Sequence, residues 1–248
     1  MSKAFVCPCG KSVVVGGSNG VGLAVALTLS ETEQVVIVDK VEPDAQLPEN
    51  VEFVRFNLLS EDYSLFDRLQ DVDKLVITAG FGRLSLFENV SEEELVRMMQ
   101  VNAVGVMRII HHYYNKLHSK EDFFCAVMVS ISGFMSSPFF AVYGASKAAL
   151  KIFIESLNVE LLKSGTTNQI LNVSPGSLGG TRFEGAKNDL SLTLPFAKEL
   201  IDRMMNKEDL FIPHYEETFK EVLARYAADF RKEGAHSYDY KLNSGRLK

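Results

Sequence analysis

The chain has 248 residues, 46% of them hydrophobic, and a formal net charge of −6. That is enough apolar material for one large core, so a single domain over residues 1–248 is expected. The acidic balance and the lack of a lysine–arginine cluster argue against a nucleic-acid surface, and three cysteines are too few for a disulfide framework.

Residues 1–11 read as an N-terminal extension without the apolar segment of a secretory signal, which makes a cytoplasmic protein the default expectation. Cys7-Pro8-Cys9 lacks the spacer of a zinc half-site and has no second half, so no metal is expected. Residues 12–15 are a short β-branched run ending in glycine, the pattern of a buried strand. The loop from Gly16 to Gly22 follows, then helical spacing over 23–30. These glycines also interrupt the most apolar stretch, so it is not a membrane span. Strand, glycine loop and helix form a cradle for phosphate, because glycines admit an anion close to the backbone and the helix start offers free N–H groups. A tight turn packing helix on strand is the plainer reading.

A second strand over 34–38 ends at Asp39, about 20 residues past the loop, where an acid can accept hydrogen bonds from ribose hydroxyls. A carboxylate there repels a 2′-phosphate, so NAD is expected over NADP; the adjacent Lys40 softens the preference. A turn acid is the alternative reading. Strands are predicted over 51–56, 74–78, 123–129, 169–173 and 210–213, and helices over 62–69, 92–116 (one long helix or two in series), 142–163, 188–205 and 216–231. Pro195 is expected to interrupt the helix that contains it. The alternation calls for an α/β fold, a doubly wound parallel sheet in three layers. Ligands collect at the carboxyl ends of such strands, where Gly16, Asp39, Asn57 and Gly80 all fall.

Tyr143 and Lys147 stand four apart at the start of a predicted helix and so share a face. A cation beside a phenol favours the phenolate, which would bring Tyr143 towards use as an acid or base near neutral pH. Alone, the pair is better read as an ordinary half-buried tyrosine and a surface lysine.

The ordered set Gly16-x-x-x-Gly20-x-Gly22, Asp39, Asn57-Leu58, Ala79-Gly80, Asn102, Ser130, Tyr143-x-x-x-Lys147 and Pro175-Gly176 resembles the short-chain dehydrogenase/reductase family over about the first three quarters of the chain. The resemblance implies an NAD-preferring oxidoreductase that interconverts an alcohol and a carbonyl. Tyr143 would be the general acid/base, Lys147 would lower its pKa and bind the nicotinamide ribose, and Ser130 would hydrogen-bond the reacting oxygen. Ser130 is chosen over Ser132 by the family's spacing of 13 residues to the tyrosine. Asn102 would hold a water that links Lys147 to a proton relay. Gly16, Ser18, Asn19, Gly20, Val21 and Gly22 would wrap the pyrophosphate, with Asp39 and Lys40 at the adenosine ribose. Asn57 and Leu58 would border the adenine, Ala79 and Gly80 would line the cofactor edge, and Pro175, Gly176 and Thr181 would lie near the nicotinamide. The resemblance also implies a homodimer or homotetramer built on residues 102–118 and 142–163. An epimerase or dehydratase using the same pair, or a dinucleotide-binding sensor without catalysis, are the rival readings.

The chain departs from the family pattern in places. Val15 stands where a threonine is common, and Ile77-Thr78 replace two amides that brace the sheet edge. Residues 177–248 are expected to supply a substrate lid and an atypical C-terminal segment. Phe134, Phe139, Phe140, Leu178 and Phe183 suggest an apolar substrate pocket, although core packing explains them equally. A stripe of Phe219, Val222, Leu223, Tyr226 and Phe230 reads as core or subunit interface. His111-His112 has no ligand spacing and reads as surface or interface.

Overall fold

In the computed structural model, which describes residues 10–181, 183 and 188–244, seven parallel strands form one sheet in the order β3-β2-β1-β4-β5-β6-β7. The Cys7–Cys9 pair lies outside the described residues. The strands are β1 (Lys11–Val15), β2 (Gln34–Asp39), β3 (Val51–Arg55), β4 (Lys74–Ile77), β5 (Phe124–Met128), β6 (Ile170–Val173) and β7 (Leu210–Phe211). The helices are α1 (Gly20–Leu29), α2 (Leu65–Arg68), α3 (Glu92–Met99), α4 (Gly105–His112), α5 (Tyr114–His118), α6 (Ala141–Ser164), α7 (Leu190–Met205), α8 (Lys220–Ala228) and α9 (Phe230–Asn243).

The central strands β1, β2, β4, β5 and β6 read as mainly apolar runs because both sheet faces are covered there. Successive side chains point to opposite faces. Val13 and Val15 enter one core with Ile109 and Ile110 of α4 and Leu150 and Ile154 of α6. Val14, Val35 and Ile37 enter the other, with Val25 of α1 and Leu200 and Met204 of α7. Three layers result, as expected.

Three elements differ from the sequence expectation. The helix predicted over 62–69 shrinks to α2, because Asp62 Oδ1 accepts from Ser64 N at 2.8 Å and its Oδ2 from Ser64 Oγ at 3.1 Å. Such local bonds offer the backbone a turn in place of a helix. Pro195 does not interrupt α7. It lies early in the helix, and burial of Ala197, Leu200 and Met204 outweighs the lost N–H bond. The tail forms α9, which no apolar periodicity announces. Asp229 starts it by accepting from Arg231 N and Lys232 N, both at 3.0 Å.

Candidate active site

The first strand turns sharply at Gly16, whose φ is +85°. A Cβ on Gly16 would lie 2.5 Å from Ala79 N, and one on Gly22 would collide with Gly16 O and Thr78 Oγ1. Both glycines therefore serve close packing of the loop against the end of β4. Thr78 is not a simple loss relative to the family's amides, since its hydroxyl donates to Gly16 O at 3.1 Å and to Val15 O at 3.3 Å.

Ser18 is buried, and its N–H donates to Asp39 Oδ2 at 3.1 Å while its hydroxyl donates to Val41 O. Asp39 Oδ1 accepts from Lys40 N at 2.7 Å, so the carboxylate is fixed beside the loop. Asn19 caps α1 without a side-chain bond, and Val21 is buried. The Gly20 N–H donates to Asn188 Oδ1 at 2.7 Å, and a Cβ there would touch Thr181 Cγ2 at 3.3 Å. Thr181 thus lies over the cradle at Gly20, whereas the resemblance implies a place near the nicotinamide, and Asn188 joins it with no signal in the sequence. Asn57 stays exposed at the sheet edge and accepts from Leu59 N at 3.1 Å. Leu58 turns its side chain into the core beside Tyr63, which donates to its carbonyl at 2.7 Å.

The long helical region predicted over 92–116 runs on through a π turn at Gln100–Val104 that joins α3 to α4. Such turns insert a residue and often mark functional positions. This one aims Asn102, fully buried, at the loop after β4. Asn102 Oδ1 accepts from Phe81 N at 2.9 Å, and Nδ2 donates to Phe81 O at 2.8 Å and Ser146 Oγ at 3.1 Å. Its side-chain amide is therefore a brace between that loop and α6. Ser146, which the sequence reading passed over, passes the contact on by donating to Tyr143 O at 2.7 Å.

Ser130 follows β5 with its hydroxyl accepting from Ser132 N at 3.1 Å and lying beside the Tyr143 phenol. Ser132 instead donates to Ser137 Oγ at 3.4 Å, on the far side of the loop. Lys147 is 2% exposed and donates to Met128 O at 2.8 Å. A Cβ on Gly80 would lie 3.3 Å from both Lys147 Nζ and Asn102 Oδ1, which puts the ammonium and the amide at one point. Pro175 O accepts from Ile131 N at 3.0 Å, tying the two loops that flank the site, and Gly176 lies under the Phe219 ring.

The electrostatics differ from the expectation that Lys147 lowers the Tyr143 pKa. Burial pushes the Tyr143 phenol up to about 12, with the Ser130 hydrogen bond pulling the other way. Burial pulls the Lys147 ammonium down to about 7. Removal of both groups from water disfavours each charged form, and this outweighs their mutual attraction. The rings of Tyr143, Phe140 and Phe183 gather over the site, Tyr143 being 5.2 Å from each of the others. Phe134 instead lies under Lys151, and Phe139 stacks on Tyr238.

The short chain dehydrogenase model matches residues 11–190, and the chain belongs to that family. An uncharacterized oxidoreductase of Staphylococcus epidermidis is 26% identical over 186 residues, covering 70% of this chain and 80% of that protein. Retinol dehydrogenase 8 of Bos taurus is 30% identical over 152 residues, 61% of this chain and 48% of that protein. A short chain dehydrogenase from Burkholderia cenocepacia, solved in complex with NADP, superposes with a TM-score of 0.74 at 19% identity, covering 92% of this chain and 97% of that one. Among the described residues no helix is long and apolar enough to cross a membrane.

Proposed function

We propose that this oxidoreductase interconverts an alcohol and a carbonyl, with Tyr143 as general acid/base. The observation that carries the reading is the placement of the Tyr143 phenol beside the Ser130 hydroxyl, in a buried site that also holds Lys147. Two hydroxyls converging on one point suit a substrate oxygen that gains or loses a proton.

The loop fits a dinucleotide. The Gly20 N–H at the head of α1 already holds the neutral oxygen of Asn188, which stands in for a phosphate oxygen. Gly16, Ser18, Asn19, Gly20, Val21 and Gly22 would hold the pyrophosphate, with Asp39 at the adenosine ribose and Thr181 above the cradle. Such a cofactor supplies the hydride acceptor or donor, and the protein orients it and handles the proton. With its pKa near 12, Tyr143 keeps its proton at neutral pH and serves first as an acid, giving the proton to a carbonyl oxygen. In the reverse direction Ser130 and a protonated Lys147 stabilise the phenolate. Asn102 positions α6 through Ser146, so Tyr143 keeps its aim.

NAD is the proposed cofactor, because the fixed Asp39 carboxylate repels a 2′-phosphate. An apolar alcohol or ketone is the proposed substrate class. Phe140 and Phe183 pack on the Tyr143 ring, and the bovine relative is named for an apolar alcohol.

The test is Tyr143→Phe, assayed by nicotinamide absorbance with a panel of apolar alcohols and ketones. Turnover should fall by about 10² to 10⁴, the usual worth of a positioned acid/base, while NADH binding by calorimetry stays near that of the unaltered chain. Surviving turnover would remove Tyr143 from the proton step.

A further inference from the structure

The family match ends at residue 190, yet α9, paired with α8, bears directly on the loop that joins Ser130 to Tyr143. That loop contains Phe139, a buried aromatic residue with φ at +66°. A bulky side chain in the left-handed region is strained and persists only where its surroundings hold it. Two contacts hold it here. The Ser85 N–H donates to Phe139 O at 2.9 Å, and the Tyr238 ring of α9 stacks on the Phe139 ring at 4.5 Å.

Lys241, one turn further along α9, donates to Ser137 Oγ at 2.7 Å and to Pro138 O at 3.0 Å. Its ammonium also lies 5.6 Å from the Phe140 ring. From Ser137 a short chain of contacts runs to the site, through Ser132 Oγ at 3.4 Å and then from Ser132 N to Ser130 Oγ at 3.1 Å. On the other side, Phe140 precedes α6 and accepts from Gly144 N at 2.7 Å, with its ring 5.2 Å from that of Tyr143. The helical pair is itself pinned, since Arg225 Nε of α8 donates at 2.7 Å to Glu233 of α9, whose side chain is only 8% exposed. At its start the Phe219 ring lies across Gly176, so the pair spans the loops that follow β5 and β6.

We propose that α8 and α9 form a clamp on the catalytic loop, with Tyr238 and Lys241 as positioning residues that set the Ser130–Tyr143 geometry. The inference rests on the reading of Ser130 and Tyr143 as the reacting pair. It explains why the strained turn at Phe139 is retained: the clamp supplies the contacts that a tighter loop would supply internally.

The experiment uses the full chain with Tyr238→Ala, Lys241→Met and Tyr238→Phe. Backbone hydrogen exchange over residues 131–140, NADH binding, and kcat and KM are read on each. Tyr238→Ala and Lys241→Met should speed exchange in that loop at least tenfold and lower kcat at least tenfold. NADH affinity should stay within twofold. Tyr238→Phe keeps the stacked ring and should restore both readouts. Unchanged exchange in both disrupting variants overturns the clamp, and so does faster exchange with unchanged kcat. If the unaltered chain turns over no alcohol or ketone, the proposed reaction fails, while the exchange measurement still judges the clamp. If Tyr238→Ala fails to fold, Lys241→Met decides by the same criteria.

Discussion

Replacement of Lys147 by methionine tests the electrostatics of the site without any substrate. Lys147 is buried, its ammonium donates to the Met128 carbonyl, and burial lowers its pKa from 10.5 to about 7. In the unfolded chain the same amine keeps its proton to about pH 10.5. Between pH 7 and 10.5 the unfolded state therefore binds more protons than the folded one, and stability rises with pH. Below pH 7 the penalty is fully present; towards pH 10.5 it fades. At about 1.4 kcal/mol per tenfold change in proton affinity, the whole penalty is at most about 5 kcal/mol, and about 2 kcal/mol of it is relieved between pH 7 and 9. Cys125, Tyr113 and Tyr143 are all pushed up by burial, and they act in the opposite sense as the pH rises past their unfolded values. They are common to both chains and cancel in the difference. Urea unfolding of the two chains at pH 7, 8 and 9 measures it. The unaltered chain should gain about 2 kcal/mol on Lys147→Met across that range, a relative shift in Tm of roughly 4–8 °C for a domain of this size. Parallel pH profiles would refute the reasoning, and would mean that Lys147 keeps an ordinary pKa in a dry site.

Two further outcomes are expected. Asp39→Ala should weaken NADH binding about tenfold or more, the worth of a hydrogen bond to a charged acceptor, and narrow the gap to NADPH; unchanged NADH affinity would clear Asp39 of the ribose role. The π turn before α4 and the outer face of α6 expose Val104, Ile152, Val159 and Leu162, an apolar surface fit for a second copy. Sedimentation should show a dimer or tetramer that Val159→Asp shifts towards monomer, and a monomeric unaltered chain would end that proposal.

The sheet was legible because fully buried strands carry their signal in composition alone. Val13–Val15 and Val35–Val38 can only be strands between two covered faces. Ser130, Tyr143 and Lys147 were legible through spacing, which the fold preserves. Their proton affinities were not, because spacing records proximity while burial is a property of the whole fold. Spacing brings a cation near the phenol; the fold then removes both from water, and the second effect is larger. The same division explains α9. Its contacts are a stacked ring, an ammonium on a carbonyl and an ion pair, none of which recurs with a helical period. An apolar stripe announces a helix that packs on a core, whereas α9 packs on a loop whose shape is set more than 100 residues earlier. What remained unread in the last quarter is therefore long-range by nature: each of its residues is informative only once Phe139 and Ser137 are in place.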